Sequence, residues 1–224
     1  MLDEFLSRHR VFTHAQIGEV LQRERVRSQA AVDTRVRRLC LQGRIGRIRR
    51  ELYYAVPPGE TTDSCFVDLG LAASLMASDV VLSHITALEY HTNTPIPSGD
   101  RLCFMTQAKI RPTPYEGVRL SPSRPPVALL RTGWRDFQVE TVDWMGERVR
   151  VTAPERSLVD CLNAIRYCGG LDVVWPLLEK MARTEGFNPD RCVEYLKLLD
   201  NPTSTMRVGW CLQRHEDHLK ASPW

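Results

Sequence analysis

Within residues 13–59 the apolar side chains change from a helical spacing to an alternating one and then stop at Pro57-Pro58-Gly59. That change of period limits the first 58 residues to a small helical unit closed by a hairpin. Leu2, Phe5 and Leu6 begin it with a short helical stripe. Thr13 and Gln16 have the spacing of a capping box, and Phe12 and Ile17 flank it as a hydrophobic staple. A second helix is expected over 14–23, with Ile17, Val20 and Leu21 buried. A third should start at Ser28 as N-cap and end at Gly43, with Val32, Val36, Leu39 and Cys40 on its inner side.

At about 100° per residue, the outer side of that third helix carries Ala30, Thr34, Arg37, Arg38 and Leu41, with Gln29 and Arg35 on the flanks. Ile48, Leu52, Tyr54 and Val56 then predict a two-stranded hairpin with Arg49, Arg50 and Glu51 near its tip. Three helices followed by a hairpin is the order of a winged helix-turn-helix, whose third helix enters the DNA major groove. Charge agrees with that reading. Residues 1–58 hold twelve arginines and six acids, a net of +6, which leaves −3 for residues 59–224. A basic head on a near-neutral body suits a polyanionic partner.

The chemistry of each position sorts the candidates. Arg37 and Arg38 can each fork onto guanine, and Thr34 can meet a base edge or a thymine methyl. Arg25 and Arg27 precede the helix, and Ser28 and Gln29 open it, where phosphate is met. Arg47, Arg49 and Arg50 belong to the wing, and Arg35 to the helix flank. The candidate partner is double-stranded DNA. A solvated arginine face is the competing reading for Arg37 and Arg38.

Residues 59–224 lack a charged or glycine-rich linker and read as one α+β domain, with the boundary after residue 58. Residues 63–79 predict a helix with Leu69, Ala72, Ala73 and Met76 inward. Val80 to Leu82 predicts a short strand, and Ser83 the N-cap of a helix carrying Ile85 and Leu88. Residues 93–150 hold short β-like runs (RLCFMT, EGVRL, PVALL, DFQVETVDW and ERVRVT) that predict a small, mostly antiparallel sheet with a turn at Met145-Gly146. The segment 111–126 is basic, either lining a DNA channel or forming a solvated loop. Three apolar helical stretches follow, up to TSTMRVGWCLQRHE.

VTAPERSLVDCL, residues 151–162, holds acids that invite a catalytic reading. Thr152 and Glu155 have the spacing of a second capping box, Pro154 suits a first helical turn, and Arg156 and Asp160 form an i,i+4 pair. Leu158, Val159, Leu162 and Ile165 then face inward, and Gly169-Gly170 is the expected stop. A nuclease built on Glu140, Asp143 and Glu155 is a weaker reading, since no lysine stands at E-x-K spacing. The chain has no phosphate loop, dinucleotide fingerprint or nucleophile elbow. No catalytic residue, cofactor or metal is therefore expected. His84 and His91 are seven apart rather than four and have no evident third ligand.

The seven cysteines are scattered, with no C-x-x-C pair, which points to reduced thiols and a cytoplasmic setting. MLDEFLSRHR shows no leader signature, and no apolar run approaches the length of a membrane span.

Four stretches resemble the AbiEi family, the antitoxin halves of bacterial abortive-infection, type IV toxin–antitoxin systems. They are RIRRELYYAVP, VLSHITALEYH, VTAPERSLVDCL with the paired glycines, and MRVGWCLQR. The resemblance implies a winged helix that binds inverted repeats upstream of its own operon and represses it. It also implies a C-terminal α/β domain that counters a nucleotidyltransferase-like toxin. Glu51 and Thr92 stand where that family usually has glycine. A module that neutralises a toxin by direct contact is the alternative.

Overall fold

The computed structural model describes residues 1–26, 28–95, 99–184 and 186–214. It is a mixed α+β chain that divides into two compact units, residues 1–78 and 79–224. No helix among the described residues is long and apolar enough to cross a membrane.

The first unit runs α1 (Leu2–Arg8), β1 (Val11–Thr13), α2 (His14–Arg23), α3 (Gln29–Leu41), β2 (Ile45–Arg49), β3 (Leu52–Ala55) and α4 (Leu69–Ser74). The Thr13 hydroxyl accepts from the Gln16 amide at 3.2 Å, and the Gln16 side chain accepts from the Thr13 amide at 2.7 Å. That closed capping box starts α2 where the sequence places it. The Ser28 hydroxyl caps α3 by accepting from the Ala31 amide. Phe12, Ile17, Leu21 and Leu39 are fully buried and form the centre of the core, joined by Val32, Val36 and Ile45.

Strand β1, which the sequence reading does not anticipate, pairs with β3, so the antiparallel sheet has the order β1-β3-β2. A three-residue strand gives almost no periodic signal. Its effect is large, because β3 becomes central and Leu52, Tyr53 and Tyr54 are all buried. Gly46 sits opposite Tyr54, whose ring covers it. A Cβ there would lie 1.9 Å from Tyr54 Cζ, so only glycine fits.

The unit continues past residue 58, a boundary twenty residues later than expected. Tyr54 Oη donates to the Thr62 carbonyl at 3.1 Å, and Cys65 Sγ to the Ala55 carbonyl at 3.7 Å. These contacts hold the segment after Pro57-Pro58-Gly59 on the hairpin. The helix expected over 63–79 shortens to α4, because Asp68 caps it by accepting from the Leu71 amide at 2.8 Å.

The second unit contains a six-stranded sheet: β4 (Val81–Leu82), β5 (Arg101–Met105), β6 (Thr113–Tyr115), β7 (Val118–Ser123), β8 (Val139–Trp144) and β9 (Glu147–Thr152). Its order is β6-β7-β5-β4-β9-β8. Pairs β5–β7 and β4–β9 are parallel and the other three antiparallel, so the sheet is mostly antiparallel, as expected, with two parallel pairs set into it. The β8–β9 hairpin turns on Met145 and Gly146, at φ 54° and 87°. Two positive φ values mark the type I′ geometry that matches strand twist. The Asp143 carboxylate accepts from the Gly146 amide at 3.1 Å and holds the turn.

Six helices, α5 (Ile85–Thr92), α6 (Val127–Arg131), α7 (Pro154–Asn163), α8 (Leu171–Ala182), α9 (Pro189–Leu199) and α10 (Pro202–Gln213), share one core, which meets the sheet at Cys103 of β5. PVALL is therefore helical, not a strand. A five-residue apolar run has no distinguishing period, and Pro126 starts the turn, with its carbonyl accepting from Leu129 and Leu130. Ser83 does not cap α5. His84 occupies that position at φ 54°, and Ser83 Oγ lies 2.9 Å from His84 Nδ1.

The start of α7 also departs from expectation. Thr152 is the last residue of β9, and Ala153 is the N-cap, without a side-chain cap. Thr152 Oγ1 instead meets Ser157 Oγ at 2.7 Å. Glu155, 1% exposed, reaches away from its own helix and accepts from the Asn188 amide at 2.9 Å, at the N-cap of α9. Arg191 lies 3.3 Å from its other oxygen. The chain ending α7 passes through a 3-10 turn, Ile165–Cys168, so Ile165 leaves the helix and the paired glycines end that turn and open α8.

All seven cysteines are free, and six are buried. Burial pushes the Cys103 thiol up to about 12 and the Cys211 thiol up to about 11, which makes both poor nucleophiles at neutral pH.

Candidate nucleic-acid interface

Helix α3 presents its outer side as the period of the sequence implies. Ala30, Thr34, Arg37 and Arg38 are exposed, and Arg35 is half-buried. Leu41 is 82% exposed at the end of the same side. Thr34 Oγ1 donates to the Ala30 carbonyl at 2.8 Å, which orients its methyl and leaves the oxygen free to accept. Gln29 Nε2 donates to Asp33 Oδ1 at 3.0 Å, so its side chain is held along the flank. The Ser28 hydroxyl is already committed to the helix cap. Arg25 lies exposed in the turn after α2 at φ 71°. Arg27 lies outside the described residues.

On the hairpin, Arg49 faces Leu52 across a two-residue turn of Arg50 and Glu51. Arg50 is the most exposed arginine of the tip and stands 3.7 Å from the Glu51 carboxylate. Arg47 is exposed, and its Nε donates to the Arg49 carbonyl at 3.3 Å. The Arg47 charge also opposes, without overcoming, the upward push that burial exerts on Cys40 and Tyr53. Arg49 differs from its neighbours. Its side chain is partly covered, and Nη1 is buried without a hydrogen-bond partner.

Glu51 adopts φ 64°, in the left-handed region where glycine is at ease. Its carbonyl accepts from the His14 amide at 2.9 Å. The His14 ring then lies between two acids, with Nε2 3.1 Å from Asp33 of α3 and Nδ1 3.8 Å from Glu51 of the hairpin. His14 thus ties the third helix to the β2–β3 turn. No spacing rule singles it out, because its two partners are 19 and 37 residues away.

Electrostatically the outer side of α3 is cationic, while Asp33 on its flank and Glu51 at the hairpin tip carry the opposite sign. Among the described residues, Arg25, Arg35, Arg37, Arg38 and Arg47 pair with no carboxylate, whereas Arg44, which is not a candidate, pairs with Asp3. Unpaired guanidiniums fixed on a helix and a hairpin are suited to phosphate oxygens and guanine edges.

Two of the acids that invited an enzymatic reading have structural partners. Glu155 is buried between Asn188 and Arg191, and Asp143 holds its own hairpin. His84 is buried against Tyr167, and His91 Nε2 meets the Thr152 carbonyl at 2.7 Å. Among the described residues no group of three His, Cys, Asp or Glu side chains is placed to hold a metal ion.

The chain is similar in fold to a crystal structure of the protein RV2827C from Mycobacterium tuberculosis. The TM-score is 0.58 at 17% identity, over 96% of this chain and 77% of that one. No family model matches the sequence, and no curated protein matches it. The similarity is one of architecture.

Proposed function

We propose that the chain is a sequence-specific DNA-binding autorepressor that serves as the antitoxin of a type IV toxin–antitoxin system. The observation that carries this reading is the unpaired cationic outer side of α3, with Thr34, Arg37 and Arg38 exposed beside a hairpin that carries Arg47 and Arg50. In this reading residues 1–78 form a winged helix-turn-helix. Helix α3 enters the major groove, Arg37 and Arg38 read base edges, and Arg25, Arg47 and Arg50 hold phosphates. Ser28, Gln29 and Arg35 contribute at the flank, and Arg49 supports the wing from within.

The test is a band shift on the DNA upstream of the chain's own reading frame. Tight binding that falls steeply with salt is expected. Arg37→Ala and Arg38→Ala should each cost about 1–3 kcal/mol and relax base preference. Binding unchanged in the double variant would overturn the assignment of α3. Co-expression with a neighbouring nucleotidyltransferase-like protein tests the antitoxin role, with restored growth the expected result.

The alternative, neutralisation by direct contact, draws support from one surface. Val193 of α9 and Met206 of α10, 42% and 76% exposed, line an apolar groove with Leu196, Val208 and Leu212. Co-purification of a stable complex would favour it.

A further inference from the structure

The second unit carries a concave site that the DNA-binding reading does not use. Strands β5 and β7 run parallel and end together at Met105 and Ser123. The carboxyl ends of parallel strands are where sheets of this kind receive ligands. Just past them lies a groove of about 540 Å³ lined by Thr106, Lys109, Arg111, Pro122, Arg124 and Tyr167. That volume suits one small molecule.

The floor of the groove is polar and rigid. Thr106 is buried, and its hydroxyl donates to Asp79 Oδ1 at 2.5 Å and accepts from the Ala108 amide at 3.1 Å. Ser123 Oγ donates to the Phe104 carbonyl at 3.2 Å. The rim is cationic. Lys109, Arg111 and Arg124 are exposed, and among the described residues none has a carboxylate within ion-pair distance. Asp79, beneath the turn, is already committed to Thr106, the Gln107 amide and Arg135. Three like charges around one hollow repel one another until an anion enters. Arg119, in the same basic stretch of sequence, pairs across from Pro114 in the sheet and does not line the groove.

The remaining wall is apolar and aromatic, formed by Ile110, Pro122 and Tyr167. We infer that this groove binds a free nucleoside di- or triphosphate. Lys109, Arg111 and Arg124 take the phosphates, and the base lies against the Ile110, Pro122 and Tyr167 wall. An extended duplex would use the charges but leave the Ile110, Pro122 and Tyr167 wall unfilled.

The experiment is titration of the full chain with a trinitrophenyl-ATP probe in EDTA, followed by competition with ATP, GTP, inorganic tripolyphosphate, adenosine and a duplex oligonucleotide. Saturable binding displaced by ATP or GTP, and far less well by adenosine or tripolyphosphate, is the expected result. Arg111→Ala with Arg124→Ala should weaken it by at least about tenfold, the scale of one lost charge-assisted hydrogen bond. Arg119→Ala should leave it unchanged. All three substituted side chains are exposed, so folding is not at stake, and circular dichroism checks it. Absence of saturable binding, insensitivity to the double variant, or tripolyphosphate competing as well as ATP would overturn the proposal. Displacement by duplex through Arg111 and Arg124 would also overturn it and assign the cations to DNA. Operator binding is measured separately on the Arg37→Ala, Arg38→Ala chain, so the two readings fail independently.

Discussion

Arg156 and Asp160 show how a local pair changes its meaning once the chain is folded. As an i,i+4 pair on a solvated helix they would contribute only a few tenths of a kcal/mol. Here both are 1% exposed, with Arg156 Nε 3.4 Å from Asp160 Oδ2. Arg156 also donates to the Arg135 and Phe137 carbonyls, at 3.1 and 2.5 Å, and Tyr195 Oη donates to Asp160 Oδ1 at 2.7 Å. A buried charge left without its partner is strongly destabilising. Asp160→Ala should therefore cost about 3–5 kcal/mol in chemical denaturation, and Tyr195→Phe about 1–2 kcal/mol. A loss under 1 kcal/mol for Asp160→Ala would mean that the network is solvated.

At the scale of elements, two caps with the same sequence spacing behave differently. Thr13 and Gln16 close a capping box, so Thr13→Ala should cost about 1 kcal/mol in a thermal melt. Thr152 and Glu155 do not, because Thr152 is drawn into β9 beside Val139 of β8. Its hydroxyl serves Ser157, and Glu155 is spent on α9 instead. Glu155→Gln should accordingly loosen the start of α9, read as faster amide exchange at Asn188. The β2–β3 turn gives an opposing case. Glu51→Gly relieves a left-handed backbone, a strain of about 1–2 kcal/mol, but removes a carboxylate from His14. Glycine's greater freedom in the unfolded chain offsets about 0.4–1 kcal/mol of that relief, so a net gain under about 1 kcal/mol is expected in a thermal melt. A loss would show that this freedom and the His14 contact together outweigh the strain.

Two features act on whole units. Burial drives His84 below its ordinary histidine range. Asp160 opposes that push, while Arg156 and Arg166 reinforce it. The folded state thus refuses a proton that the unfolded chain accepts. Stability from this group is complete above pH about 6.5 and falls as pH drops from there toward the depressed folded value. Urea midpoints measured from pH 7.5 down to 5 should decline, and His84→Gln should flatten that slope. The division after residue 78 predicts that a fragment of residues 1–78 melts cooperatively. A fragment of residues 1–58 should melt earlier, having lost α4 and the Tyr54 to Thr62 bond. Equal melting of the two would return the boundary to the proline-rich turn.

Much of this protein is local and so readable from the chain alone. The start and end of α2 and α3, the outward set on α3, the Met145-Gly146 turn and the segregation of arginine all follow from period, caps and turn chemistry within a few residues. Tertiary structure decided what depends on distant partners. It made β1 a strand by supplying β3, made PVALL a helix, and set two parallel pairs into the sheet. It drew Glu155 across to α9, His14 between Asp33 and Glu51, and Lys109, Arg111 and Arg124 around one groove. Side-chain period reports which face is buried, but not which group 20 to 40 residues away will satisfy a buried charge. That choice is made by desolvation and packing, and only the folded chain expresses it.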